Sequence, residues 1–217
     1  MDFAAARKHM VDSQVRPNDV TDLRLLKALE ITARERFVPE AQKPRAYMEM
    51  DIPLFEGRWL LKARDFSKLI HAAGISDQDL VLDIGCGYGY STSILSHIAG
   101  MVVALEDNPD VVAEAEKNLG EDQRDNEVVV EGVLAKGKPE QGPFDVIVIA
   151  HGVEFVPDEL LAQLKDGGRL VTIIKRDPIG QAVLITRNGD NFGHVALFEA
   201  SPAGILPGFQ KEPAFVF

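Results

Sequence analysis

The stretch VLDIGCGYGYST, residues 81–92, decides the fold. It begins as an apolar strand that ends in Asp83, continues with the alternating glycines Gly85, Gly87 and Gly89, and ends where a helix can start. Glycine is needed where φ is positive or where a side chain would collide with a ligand. In open α/β sheets a loop of this kind, between a strand and a helix amino terminus, contacts the ligand. The stretch therefore predicts a ligand-binding strand–loop–helix unit.

Around this unit, apolar runs recur at regular intervals after residue 78. The first runs are short, rich in Val and Ile, and separated by helical patterns, which is typical of a mostly parallel sheet covered on both faces. The last runs have no helix between them, and Asn188-Gly189 is a hairpin signal, so we expect an antiparallel edge. The seven predicted strands are 80–84, 102–105, 128–130, 146–150, 170–174, 182–186 and 195–198.

Residues 1–78 have a different pattern, with helical and connecting segments. Asp22 can cap one helix, and Asp65 can cap another that Gly74 ends. Residues 39–64 show little periodicity and predict an irregular surface segment. We expect a single domain, residues 1–217, in which this amino-terminal extension supplies the acceptor side and residues 79–217 form the donor-binding core.

Composition narrows the class of protein. The 217 residues suit one globular domain, and no segment reaches the roughly 18 consecutive apolar residues that a membrane span requires. A net charge of −11 opposes binding to nucleic acid. The amino terminus has no apolar signal region, and a single cysteine, Cys86, excludes an internal disulfide. We expect a cytoplasmic protein with neither a nucleic acid nor a membrane as its partner.

The residues around the glycines favour one cofactor over another. A dinucleotide-binding loop has its third glycine three residues after the second, where this chain has Tyr90, and Asp83 puts a negative charge where a diphosphate would lie. S-adenosylmethionine offers an ammonium to such an acid and ribose hydroxyls to an acid at the end of the next strand, where Glu106 stands. We therefore expect S-adenosylmethionine. A nicotinamide dinucleotide remains the alternative cofactor, because its binding sites too have a ribose-binding acid about twenty residues after the loop.

Two later positions are weaker candidates. Glu131 and Gly132 follow the third predicted strand, where a carboxylate can accept from an adenine amino group and an amide can donate to the ring. The alternative is a turn with a solvated glutamate. His151 follows the fourth strand at the same edge, as a candidate base or as a structural histidine.

Three segments of the chain resemble the protein-L-isoaspartate O-methyltransferase family. VTDLRLLKALEITARERFVPE (20–40) is similar to that family's amino-terminal helix and its arginine, then Phe-Val-Pro, signature. VLDIGCGYGYSTSILS (81–96) resembles its donor loop, and GPFDVIVIAHGVEFVPDELLAQLKDGGRLV (142–171) resembles its fourth and fifth strands with the helix between them. The resemblance implies a class I S-adenosylmethionine-dependent methyltransferase fold, Rossmann-like, with a mostly parallel seven-stranded sheet. It also implies that the donor site is lined by Asp83, Gly85, Gly87, Gly89, Glu106, Glu131 and Gly132.

One segment departs from the family. Where the family has Gly-Gln-Thr-Ile-Ser, whose hydroxyls face the isoaspartyl carboxylate, this chain has GRWLL at residues 57–61. We therefore place Arg58, Trp59 and Leu61 on the acceptor side together with His151, with Arg58 as the cation for a carboxylate. In the alternative interpretation, Trp59 and Leu61 fill this side as core.

The expected function is methyl transfer from S-adenosylmethionine to a carboxylate of an isoaspartyl protein or peptide, without a metal. Two alternatives stay open. One is a small-molecule methyltransferase whose acceptor packs on Trp59, with His151 as base, and the other is an inactive donor-binding sensor or interaction module. The apolar carboxyl terminus, Phe215 to Phe217, is expected to dock on its own domain or on a neighbouring subunit.

Overall fold

The fold is described by a computed structural model that covers residues 1–176 and 179–211. The carboxyl terminus expected to dock lies outside the described residues. Within them, no helix combines the length and the apolar character needed to cross a bilayer. The strands are β1 (Ile52–Phe55), β2 (Arg58–Leu60), β3 (Leu80–Ile84), β4 (Met101–Glu106), β5 (Glu127–Glu131), β6 (Phe144–Val153), β7 (Leu164–Arg176), β8 (Ile179–Asn188) and β9 (Asn191–Ala200).

Seven of these strands form one sheet in the order β5-β4-β3-β6-β7-β8-β9. The five strands from β5 to β7 are parallel, and β8 pairs antiparallel with β7 and with β9. The predicted mostly parallel sheet with an antiparallel edge is confirmed. After β3 the chain moves to β4 on one side, whereas β6 lies on the other, so the strand order reverses between β3 and β6. Ligands bind at such a switch point, outside the carboxyl ends of the strands.

Both faces of the sheet are buried at its central strands β3, β4 and β6. Val81 and Val146 belong to one hydrophobic cluster and their neighbours Leu82 and Ile147 to another, as the alternation of side chains along a strand requires. The first cluster includes side chains of the amino-terminal helices, and the second includes the turn of helix around Leu160. The α-helices are α1 (Phe3–Met10), α2 (Leu23–Ile31), α3 (Ala63–Ala73), α4 (Tyr90–Ser96), α5 (Pro109–Gly120) and α6 (Asp158–Leu161).

The predicted helix ends are partly right. The Asp22 carboxylate accepts from the Arg24 and Leu25 amides and caps α2, and Gly74 ends α3 in the left-handed conformation at φ +57°. The predicted cap at Asp65 is wrong, because α3 already starts at Ala63 and Asp65 lies buried in its first turn.

Residues 52–60 correct the prediction of an irregular segment. They form an antiparallel hairpin, β1–β2, that is a sheet of its own, with its turn at Glu56-Gly57. Gly57 has φ +71°, a backbone conformation that glycine adopts without strain. The strands are too short to show a clear alternation in the sequence. The hairpin brings Arg58 to the switch point of the main sheet.

Candidate active site

The glycine loop lies at the switch point between β3 and β6. It is held by backbone hydrogen bonds from the Gly85 amide to the Leu105 carbonyl, at 2.8 Å, and from Gly89 to Cys86, at 3.0 Å. The Cys86 side chain is buried in this loop. Gly85 has φ +74°, and a Cβ atom there would lie 2.7 Å from Arg58 Nη1. Glycine adopts this backbone conformation without strain, and its lack of a side chain leaves room for the Arg58 guanidinium.

Asp83, at the end of β3, is a buried carboxylate with one free oxygen. Its Oδ2 accepts from Ser91 Oγ at 2.6 Å and from Thr92 Oγ1 at 2.8 Å, whereas Oδ1 has no partner among the described residues. Burial raises the pKa of Asp83 to about 6, although the two hydroxyls oppose the rise. A cationic ligand would supply the missing partner and favour the ionised form. This free oxygen fits the ammonium of the predicted donor.

The raised pKa predicts that Asp83→Asn stabilises the protein at neutral pH. The folded-state pKa of about 6 lies above the ordinary 3.8, so the folded protein resists ionisation of Asp83. The free energy of unfolding of the wild type therefore falls as the pH rises from 3.8 through 6. At pH 8 the variant should have a free energy of unfolding about 1–3 kcal/mol higher than that of wild type. Two pKa units correspond to about 3 kcal/mol, and the unpaired group of the new amide offsets part of this gain. Urea unfolding at pH 4 and pH 8 measures this. A gain of the same size at both pH values would contradict it.

Glu106, at the end of β4, is fully buried with both carboxylate oxygens engaged. Oε2 accepts from the Gly87 amide at 3.0 Å, and Oε1 accepts from the Asp107 amide and forms a short ion pair with Arg58 Nη2. Burial raises the pKa of Glu106, and the Arg58 guanidinium opposes this rise. The predicted ribose acid therefore stands beside the glycine loop, as the sequence indicated, but it already has partners.

Arg58, predicted to be an acceptor-side cation, contacts this predicted donor acid. Its side chain is 2% exposed, its Nη2 also bonds Asp107 Oδ1 at 2.7 Å, and it lies over the Phe55 ring. Nη1 is buried without a partner among the described residues. The pair joins residues far apart in the sequence, and only the acidic Asp107 next to Glu106 could have signalled it.

The remaining predicted acceptor residues line a small cavity beside the loop. His151 is buried, with Nε2 2.8 Å from the Gly85 carbonyl oxygen, and burial followed by the Arg58 charge lowers its pKa to about 4. The imidazole is therefore neutral, with its proton on Nε2 and a lone pair on Nδ1. Leu61 is buried in the first hydrophobic cluster, and Trp59 packs against Gly204. Two cavities of about 10 and 20 Å³ beside them hold at most one water each, which favours the interpretation of both side chains as core in this conformation.

Glu131 and Gly132 lie at the end of β5, in line with Glu106. Glu131 pairs with Glu106 in strand register and is exposed, so its carboxylate is open to a ligand. The Gly132 amide donates to the Glu106 carbonyl oxygen at 3.0 Å. The sequence analysis expected this amide to donate to an adenine ring, but in the structure it already donates within the sheet.

Comparison with known proteins gives one family. The sequence model of Protein-L-isoaspartate(D-aspartate) O-methyltransferase (PCMT) matches residues 5–197. A protein-L-isoaspartate O-methyltransferase 2 of Marinobacter nauticus is 35% identical over 193 residues, which are 88% of this chain and 87% of that one. A protein-L-isoaspartate O-methyltransferase of Koribacter versatilis is 33% identical, over 85% of this chain and 83% of that one.

Solved structures show the same fold. A protein-L-isoaspartate O-methyltransferase superposes with a TM-score of 0.80 at 23% identity, over 93% of this chain and 66% of that one. A putative protein-L-isoaspartate O-methyltransferase from Plasmodium falciparum, solved in complex with S-adenosyl-L-homocysteine, gives 0.76 at 17% identity, over 98% of this chain and all of that one. At these identities the likeness concerns the fold.

Proposed function

Because this chain belongs to the protein-L-isoaspartate O-methyltransferase family and is an S-adenosylmethionine-dependent methyltransferase, we propose that it methylates the side-chain carboxylate of isoaspartyl residues in proteins or peptides. The observation that carries the proposal is the buried Asp83 oxygen that has no partner within residues 1–176 and 179–211, next to a glycine loop at the switch point of the sheet. This oxygen supports a donor site in this chain even where the acceptor segment differs.

The proposed donor contacts follow from the positions of the side chains. Asp83 holds the ammonium, the loop at Gly85, Gly87 and Gly89 lets the donor approach the backbone, and Glu106 receives the ribose hydroxyls. Glu131, exposed in line with Glu106, is placed for the adenine amino group. When bound, the donor supplies a methyl group on a positively charged sulfur.

On the acceptor side, transfer to an ionised carboxylate requires alignment and removal of water rather than a base. Such effects can supply roughly 7–11 kcal/mol of a barrier. A neutral His151 suits this scheme. Its Nε2 donates to the Gly85 carbonyl oxygen, and an ionised carboxylate has no proton that a base would need to remove. Because Arg58 Nη2 is engaged by acidic side chains, its Nη1, without a partner among the described residues, is the proposed donor to the acceptor carboxylate, and Trp59 and Leu61 exclude water from it.

A matched pair of peptides tests the proposal. One peptide contains an isoaspartyl residue, the other contains aspartate at the same position, and methyl transfer from labelled donor is measured as base-labile ester. We expect ester on the isoaspartyl peptide alone. Methylation of small phenols without peptide methylation would contradict the proposal and favour the acceptor that packs on Trp59. Binding of S-adenosylhomocysteine without transfer to either class would contradict it as well.

A further inference from the structure

The tip of the β1–β2 hairpin, residues 54–58, covers the glycine loop. A Cβ atom at Gly87 would lie 3.0 Å from Leu54 Cδ1, and one at Gly85 would lie 2.7 Å from Arg58 Nη1. The Phe55 ring lies 5.5 Å from the ring of Tyr88, the residue that follows Gly87. Side chains of the tip therefore fill the space over the loop that a donor would enter.

The same tip blocks the proposed ribose contact. Glu106 is 0% exposed, and its oxygens are taken by Arg58 and by the Gly87 and Asp107 amides. A ribose diol must replace the guanidinium before it can donate to this carboxylate. When the Arg58 guanidinium leaves Glu106, it still has a partner in the Asp107 carboxylate. The Asp107 side chain is 42% exposed, so this pair lies nearer to solvent. Moving a buried charge is costly when no partner remains, and here one does.

The hairpin is anchored at its base and exposed at its turn. β1 and β2 hydrogen bond only to each other among the described strands. At the base, Asp51 accepts from the Lys62 amide at 2.8 Å and from the Ala203 amide at 2.7 Å. At the tip, Glu56 and Gly57 are exposed.

From these contacts we propose that the hairpin tip is a lid on the donor site and that Arg58 competes with the donor ribose for Glu106. Donor binding opens the lid and transfers Arg58 from Glu106 to Asp107. The inference rests on donor binding in the proposed function and not on the identity of the acceptor. Its tests therefore contain no acceptor, so that a failure of isoaspartyl methylation leaves their outcome unchanged.

The first test is calorimetric titration of S-adenosylhomocysteine into four proteins. They are the wild type, Arg58→Ala, Phe55→Ala, and the control Arg16→Ala, which removes an exposed arginine paired with Asp12 and Glu30. We expect Arg58→Ala and Phe55→Ala to bind the ligand more tightly than wild type, by about tenfold for Arg58→Ala, and the control to bind as wild type does. Unchanged or weaker binding in either lid variant would overturn the proposal.

The second test is hydrogen exchange of the wild-type protein, which needs no variant to fold. If the ligand displaces the tip, the amides of residues 54–58 should exchange faster when S-adenosylhomocysteine is bound. Slower exchange there would mean that the tip closes over the donor, and it would overturn the competition between Arg58 and the ribose. Amides of β3, beneath the site, serve as the reference and should not speed up.

Discussion

Glu106→Ala should both destabilise the protein and nearly abolish donor binding. The variant leaves Arg58 paired with Asp107 alone and takes the acceptor from the Gly87 and Asp107 amides, and each unmet buried bond costs about 1–3 kcal/mol. It also removes the two proposed charge-assisted bonds to the ribose, at about 1.5–3 kcal/mol each, so the donor affinity should fall by about two to four decades. Urea unfolding and calorimetry with S-adenosylhomocysteine measure the two effects.

Two comparisons separate these effects. Glu131→Ala removes an exposed carboxylate at the same level of the neighbouring strand, so its unfolding free energy should equal that of wild type. The double variant Arg58→Ala with Glu106→Ala removes both charges and should regain part of the lost stability, although not the affinity. A folded Glu106→Ala protein with wild-type affinity would remove Glu106 from the donor site.

Gly85→Ala should have the second largest effect, a loss of donor binding of at least about a hundredfold, or 2.7 kcal/mol. The new methyl group would lie 2.7 Å from Arg58 Nη1, 3.1 Å from Leu206 Cδ1 and 3.2 Å from His151 Cδ2, in the path of the donor. It would also force alanine into a left-handed conformation, which costs about 1–2 kcal/mol.

Gly74→Ala is the matched control for the backbone effect. Gly74 has φ +57°, and a Cβ atom there meets nothing within 4 Å. This variant should therefore show the loss of stability that comes from strain alone, with donor binding unchanged. If Gly85→Ala and Gly74→Ala bind the donor equally well, the glycine loop does not contact the donor.

The main sheet could be predicted from the sequence because its signals are local. The two sides of the central strands β3, β4 and β6 face separate hydrophobic clusters, so nearly every residue of their apolar runs is buried and the runs stand out. The runs of the outer strands β5 and β9 are partly exposed, at Val128 and Val195. The loop at Gly85 was recognisable for the same reason, since its glycines and Asp83 are neighbours in the chain.

The lid could not be predicted in this way. Arg58 and Glu106 are 48 positions apart, and apart from the second acid, Asp107, the local pattern around each residue does not indicate that the two meet. An acid at the end of β4 predicts a ligand contact, and an arginine in an irregular segment predicts a free cation. The topology instead brings them together, because the hairpin folds back over the carboxyl ends of β3 and β4. The predicted cap at Asp65 failed on similar grounds, since the Asp51 carboxylate fixes the Lys62 amide and α3 can start earlier.

The buried Cys86 has a consequence for the chemical durability of the enzyme. Burial raises the pKa of its thiol, and the nearby Asp83 and Glu106 carboxylates raise it further. Peroxide and disulfides react with the thiolate, which this sulfur does not form at neutral pH. The glycine loop therefore contains the chain's only sulfhydryl without offering a nucleophile, and oxidants that attack thiolates should leave this residue unmodified.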